Sequence, residues 1–389
     1  MTGTPIVAAR ARDARPINKS PDPQYFPALT GLRFLLALWV VLHHITGTNM
    51  MLEPFLLTWP AFAREIIRGG YLAVQSFFLL SGFVLAQSYG TARWNRTTLA
   101  RFGMARFARI YPAYFFSLIL IVPFMIETFW KHHLSASQQL DLVGNYTFVL
   151  QGWTGAMGVG WNTPAWSLSC EFFFYLCFPL LFLWFRDGKA WKTLPVLAIS
   201  FVTPMILLRT GMPDAWKPIL HLSDFVAGIA ASNIFGMLQR HTPWLRRRGH
   251  WLYLPALAGG IAVIVHPEFL RGTPANMNTL LRPLNVLALV GLALGGGFCA
   301  RMLSAERTQY LGKISYSMYI LHVPLLWWYS RVMLDSVGDH LHIATSLIYL
   351  GVVIGASAWT YARVEDPANR AIRDRVSAWL RPVALKAAA

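Results

Sequence analysis

The sequence predicts an all-α fold, a polytopic transmembrane helix bundle, and three observations carry that prediction. The 389 residues are 55% hydrophobic and only 13% charged, with a mean hydropathy of +0.44, outside the usual range of soluble globular proteins. Ten stretches approach the roughly 17–25 apolar residues that a span requires: 28–48, 71–88, 110–130, 164–185, 193–209, 218–238, 251–267, 280–300, 314–334 and 343–361. The third observation is the distribution of basic residues. With the N-terminus inside, the cytosolic segments hold 25 Lys and Arg, whereas the outer ones hold eight: Arg64, Arg68, Lys131, Arg209, Lys217, Arg271, Arg282 and Arg331. Cytoplasmic loops carry such an excess, so both termini are predicted to be cytosolic. The net charge of +17 ordinarily suggests nucleic acid, but here the cations lie in short clusters between apolar runs. Topology accounts for them, and no nucleic-acid partner is predicted.

Residues 1–27 are polar and basic and lack an apolar core followed by a small-residue cleavage site. They read as a disordered cytosolic arm without a cleavable signal peptide. The first span contains "LTGLRFLLALWVVLHHI" (29–45), an apolar run that nevertheless carries Arg33, His43 and His44. An ionisable side chain inside a span is costly and by default faces the bundle interior at a functional site. Eleven positions separate Arg33 from His44, which puts them about 20° from a common azimuth and roughly 16 Å apart along the axis. They share one wall of a cavity, too far apart for an ion pair. His43 falls about 80° off that face and reads as a packing or interfacial residue.

After the second span, whose "SGF" at 81–83 suggests close helix packing, comes "RWNRTTLARFGMARFARIYPAY" (93–114), with five arginines and no acid. Two readings stand for this segment: a positive-inside signal, or a phosphate grip in which Arg106 and Arg109, at i and i+3, face the same way. Residues 140–153 suit a short interfacial or re-entrant helix. Glu171 lies about seven residues into the fourth span, in the half predicted to be outer. There it can pair with His44 and stabilise the imidazolium, or serve only as an interhelical hydrogen-bonding group. His221, Asp224 and His322 complete the set inside spans, and Glu127 lies near an outer interface. Cys170, Cys177 and Cys299 sit in or at the ends of apolar runs and read as packing residues. No phosphate-binding loop, nucleophile elbow or metal-ligand spacing occurs. Residues 28–361 therefore form one membrane domain, followed by an amphipathic cytosolic tail at 362–389.

Six stretches in order along the chain resemble the acyltransferase-3 family of integral membrane acyltransferases. Arg33 and His44 match its basic-x10-His signature, "FFLLSGFVLA" (77–86) its second-span motif, and "RFARIYPAY" (106–114) its R-x-x-R-I-x-P element. "NTPAWSLSCEFFFY" (162–175), "LGKISYSMYILHVPLL" (311–326) and "VEDP" (364–367) are similar to its later motifs. The resemblance implies transfer of an acyl group, commonly acetyl, from cytosolic acyl-CoA to a hydroxyl on a glycan or other acceptor, at a bacterial cytoplasmic membrane. It implies His44 as general base, Arg33 as a residue holding the CoA donor, Arg106 and Arg109 as phosphate partners and Glu171 as support. Tyr114, Asn162, Trp166, Ser167 or a backbone N–H are candidates for oxyanion donor, without a choice among them. No esterase-like domain follows, so a stand-alone member is expected. Its acceptor is expected to be an envelope polysaccharide or lipid-linked precursor, with a small-molecule glycoside as the alternative. The rival from another class is a secondary transporter, which also carries midplane charges and broken spans, though usually in internal repeats; no repeat is visible here.

Overall fold

The computed structural model describes residues 25–47, 50–154, 160–210, 216–266, 274–334 and 342–386. All but the last residues of the predicted basic arm therefore lie outside the described residues. Among the described residues there is no strand, and the helices are α1 (Pro27–Ile45), α2 (Glu53–Leu56), α3 (Ala61–Arg68), α4 (Ala73–Ser88), α5 (Arg96–Lys131), α6 (Ala136–Thr147), α7 (Gln151–Thr154), α8 (Trp166–Phe185), α9 (Ala190–Arg209), α10 (Lys217–His241), α11 (His250–Val265), α12 (Pro274–Leu294), α13 (Gly297–Leu303), α14 (Glu306–Tyr329), α15 (His342–Thr360) and α16 (Asp366–Lys386). All ten predicted apolar segments fall on helices. Among the described residues, eight helical stretches are long and apolar enough to cross a membrane, and these include neither α11, 16 residues long, nor α14. The latter interrupts its apolar sequence with Ser315, Tyr316, Ser317 and His322.

Two helical boundaries differ from the sequence expectation. The segment 280–300 is not one span: α12 stops at Leu294, Gly295 and Gly296 take φ of 79° and 88°, and α13 begins at Gly297 with φ of 76°. That left-handed region is open to glycine and strained for other residues. The segment 140–153 is two short helices, α6 and α7, too short to span. A capping box between Ser135 and Gln138 starts α6.

Glycine also sets how closely the helices approach. A Cβ on Gly82 of α4 would sit 2.1 Å from the backbone oxygen of Phe225, and one on Gly228 of α10 would sit 2.0 Å from that of Leu79. The two backbones thus touch at reciprocal glycines, as small residues permit in membrane helices. The same device brings α1 against α13 and α14, where Gly31 meets Leu303 O and Gly312 meets Thr30 O. As a result α14, with Ser317, Met318, Ile320 and His322 fully buried, lies at the centre of the bundle against α1. The polar residues of α14 are tolerated because they face protein instead of lipid.

At 36 residues, α5 is roughly 54 Å long, well beyond a hydrocarbon core of about 30 Å. It starts at Asn95, whose side chain accepts from Thr98 N, and its first turns carry Arg96, Arg101, Arg106 and Arg109. Against this arginine-bearing end packs α16, continuous with α15 through the turn 361–365. The predicted tail is thus a helix docked on the bundle.

Candidate active site

A cavity of about 360 Å3 opens between α1, α4, α5, α8, α14 and α16. Val74 and Ser88 of α4 both line it, so it extends for roughly 21 Å along that helix. Its outer mouth, at the end that the basic residues assign to the cytosol, is formed by Ser88, Tyr89, Arg106, Asn369 and Arg373. Its inner end is closed by Phe77, Ser167 and Tyr319.

Four arginines, Arg33, Arg106, Arg109 and Arg373, line this cavity with a single carboxylate, Glu171. Arg109 is neutralised outside it: its guanidinium pairs with the fully buried Glu365, which also accepts from Ser317 Oγ at 2.7 Å. Glu365 belongs to the "VEDP" stretch, so the last of the six family-like stretches anchors the arginine of an earlier one. Arg33, Arg106 and Arg373 have no ion-pair or hydrogen-bond partner among the described residues. Arg106 lies 6.0 Å from the ring centroids of Phe102 and Tyr175, and its Nε is buried without a partner. Like charges held together and left unpaired in a partly enclosed space are costly unless an anion completes them.

The two histidines of α1 part as their azimuths require. His43 bonds through Nδ1 to Arg68 O at 2.6 Å and packs against Tyr71. His44 turns to α14, where its Nδ1 lies 3.3 Å from His322 Nε2 and 2.9 Å from Val40 O. His322 Nδ1 lies 2.6 Å from Tyr319 O. A carbonyl can only accept, so both Nδ1 atoms carry the proton in the neutral pair, and His44 Nδ1–H is shared between Val40 O and His322 Nε2. That leaves the lone pair of His44 on Nε2. Neither histidine lines the cavity; its closing residue Tyr319 has its ring centroid 6.0 Å from that of His322, which in turn is 4.8 Å from that of His44.

The Glu171–His44 pair considered from sequence is not formed. Glu171 accepts from Tyr175 at 3.2 Å and shares the cavity with Arg33. Depth was counted from the start of the span, but α8 does not start at a membrane surface. The preceding Asn162 is buried, donating to Ser117 Oγ and Ile320 O, and the first turn of α8 is buried too. A second expectation to correct is Arg282, counted among the outer-loop cations. It is buried on α12 and pairs with the buried Asp224, which also accepts from Gln75 and meets His221 Nδ1 at 2.9 Å. Position 282 already falls inside the predicted span 280–300, and a buried charge there demands such a partner.

Of the four oxyanion candidates, only Ser167 lines the cavity, and its hydroxyl donates to Pro164 O while accepting from Tyr319. Tyr114 donates to Tyr146 O and accepts from Gln151, which brackets α5 to α6 and α7. Asn162 holds α5 to α14 through its amide, though its Oδ1 is buried without a partner. Trp166 stacks beside His221 under Lys217. Sequence reasoning passed over Tyr175, Tyr319, Asn369 and Arg373. The first two lay inside the quoted motifs; the last pair had only its i, i+4 spacing as a signal.

A bundle of apolar helices that encloses ionisable side chains around a cationic cavity defines an integral-membrane protein with its site inside the spanning region. The chain belongs to the acyltransferase-3 family, whose acyltransferase domain matches residues 26–362. It is similar to the acyltransferase MdmB of Streptomyces mycarofaciens, 30% identical over 92% of this chain and 94% of that protein. It is also similar to the O-acetyltransferase OatA of Staphylococcus aureus, 21% identical over 81% of this chain and 53% of that protein. The peptidoglycan O-acetyltransferase OatA of Listeria monocytogenes is 22% identical over 78% of this chain and 50% of that protein. The chain thus spans about half the length of these two O-acetyltransferases. No solved structure matches. The protein is a multi-pass membrane O-acyltransferase.

Proposed function

We propose that the enzyme takes an acyl group, acetyl by preference, from cytosolic acyl-CoA and transfers it to a hydroxyl of a cell-envelope glycan or its lipid-linked precursor, at the bacterial cytoplasmic membrane. The observation that carries the donor assignment is the cavity that opens at the basic end and keeps Arg33 and Arg106 unpaired. Phosphates would meet Arg106 at the mouth, and the pantetheine arm would run past Arg33 toward Tyr319. The roughly 21 Å length of the cavity along α4 is enough to hold this arm. Arg109, already paired with Glu365, adds field more than a free donor. The carbohydrate acceptor is supported by the one relative named for peptidoglycan, the O-acetyltransferase of Listeria monocytogenes.

In the transfer, His44 Nε2 would take the proton of the acceptor hydroxyl as its oxygen attacks the thioester carbon. The acyl–oxygen bond forms, the carbon–sulfur bond breaks, and the proton passes from His44 to the departing sulfur. His322 acts on His44 as a positioning residue: its Nε2 accepts the Nδ1–H that the imidazolium retains. Direct transfer is favoured over an acyl-enzyme because the buried Ser167 hydroxyl donates to a backbone carbonyl and not to a base.

The test is transfer from labelled acetyl-CoA in membranes bearing single variants. His44→Ala is expected to lower the rate on the order of 10²–10⁴-fold, while His43→Ala retains most of it. Full transfer by His44→Ala sinks the base assignment. Mass spectrometry of envelope glycans from a deletion strain reads the acceptor, and loss of acetylation on a soluble glycoside alone redirects that assignment.

A further inference from the structure

The cavity has a wall that lies beyond both the family-model match and the last family-like motif, which ends at residue 367. The family match ends at residue 362, yet Asn369 and Arg373 of α16 line the cavity with Arg33 and Arg106. They lie four residues apart and so project from one face of the helix, and that helix packs against the arginine-bearing end of α5. Arg373 has no ion-pair partner among the described residues, and Asn369 Oδ1 is buried without a hydrogen-bond donor. Directly relevant to what they face, Arg106 Nε is likewise buried without an acceptor. The cavity mouth therefore presents unsatisfied donors and an unsatisfied acceptor together. Water can donate to Asn369 Oδ1 and accept from Arg106 Nε, but it leaves the charge of Arg106 and Arg373 uncompensated; a ligand with anionic oxygens and N–H groups meets both the hydrogen bonds and the charge.

We propose that α16 is a working wall of the donor site, with Arg373 binding a phosphate of a nucleotide-bearing thioester and Asn369 Oδ1 accepting an N–H from the same molecule. The inference rests on the acyl-CoA reading above. Its simpler competitor is a solvated arginine on an amphipathic helix, which has no reason to share a cavity with unpaired Arg106. Arg373 is exposed at the mouth, so its replacement leaves the packing of α16 on α5 in place. The phosphate contact and the fold can therefore be separated.

The experiment compares acetyl-CoA with acetyl-pantetheine, which carries no phosphate, as donors for the purified full-length protein. Arg373→Ala is expected to raise KM for acetyl-CoA about tenfold or more, the loss of one charge-assisted hydrogen bond, with the effect falling on KM and not on kcat. The ratio of kcat/KM for acetyl-CoA to that for acetyl-pantetheine should fall by the same factor, and Arg373→Lys should restore part of it. Asn369→Ala should weaken binding of CoA itself, read as a smaller shift of thermal midpoint on adding CoA. An equal loss with both donors, or none with acetyl-CoA, overturns the proposal. If Arg106→Ala raises KM for acetyl-CoA while Arg373→Ala does not, α16 is removed from the site and the donor reading stands. If the wild type uses no acyl-CoA, both fall.

Discussion

Glu365 has a fully buried side chain, and what keeps it there is Arg109, 30% exposed, together with Ser317. Removing one member of such a pair strands the other. Glu365→Gln should cost about 3 kcal/mol, the lower end for buried pairs, because Arg109 keeps partial access to water. The double replacement of Arg109 and Glu365 by Met should cost less, and unfolding in detergent by denaturant compares the two. An additive double variant would mean that the pair is not coupled. The Arg106/Arg109 face was legible from the i, i+3 spacing, but the sequence could not divide their labour. Both arginines look alike until a carboxylate 256 positions away chooses Arg109. In the same way, Arg33, His43 and His44 sorted themselves by helical azimuth alone, whereas the ring that His44 meets, His322, is 278 residues distant.

Helices were legible as units because lipid-facing periodicity is not needed to recognise a continuous apolar run; their mutual contacts were not. The glycine of "SGF" reads as a packing site, yet nothing local identifies Gly228 as its counterpart. The backbone contact they make has a direct consequence for stability. A methyl at Gly82 would press on the Phe225 carbonyl, a backbone atom that cannot move aside as a side chain tip does. Gly82→Ala should destabilise by about 1–3 kcal/mol, the usual cost of overpacking, visible as a lower midpoint of thermal unfolding. A midpoint equal to that of wild type would show that α4 and α10 can separate without penalty. The helix after residue 365 was foreseen, but its docking was not, because an amphipathic pattern shows that a face is covered without saying by what.

For the whole molecule, the eight spanning helices counted by length and hydropathy, and the ten obtained by including α11 and α14, are both even numbers. Either count is even, as the expectation of both termini on one side requires. Charge bias puts that side in the cytosol, and correcting Arg282 from loop to buried partner strengthens the bias. In a background with the native cysteines replaced, Trp59→Cys should react with a membrane-impermeant maleimide in intact cells, and Arg248→Cys only after lysis. The opposite pattern would invert the orientation and with it the side from which the donor enters. The fold class was recoverable from composition because the bilayer constrains every span alike. The cavity was not, since it is made where six helices from distant parts of the chain leave space.

The buried group of Asp224, Arg282, Gln75 and His221 also bears on how the chain is inserted during synthesis. Asp224 and Arg282 sit on α10 and α12, 58 residues apart, so they enter the bilayer at different moments. Each alone at its centre costs about 2.5–3.5 kcal/mol. The penalty is not shared equally in time. As α10 emerges from the ribosome it brings His221 one turn from Asp224, and Gln75 on α4 is already in place to donate to the same carboxylate. Arg282 has no such companion near it in sequence and depends on finding a carboxylate that arrived earlier. The order of helices along the chain thus supplies an assembly sequence in which the receptor for the most awkward cation is built before the cation is released into lipid.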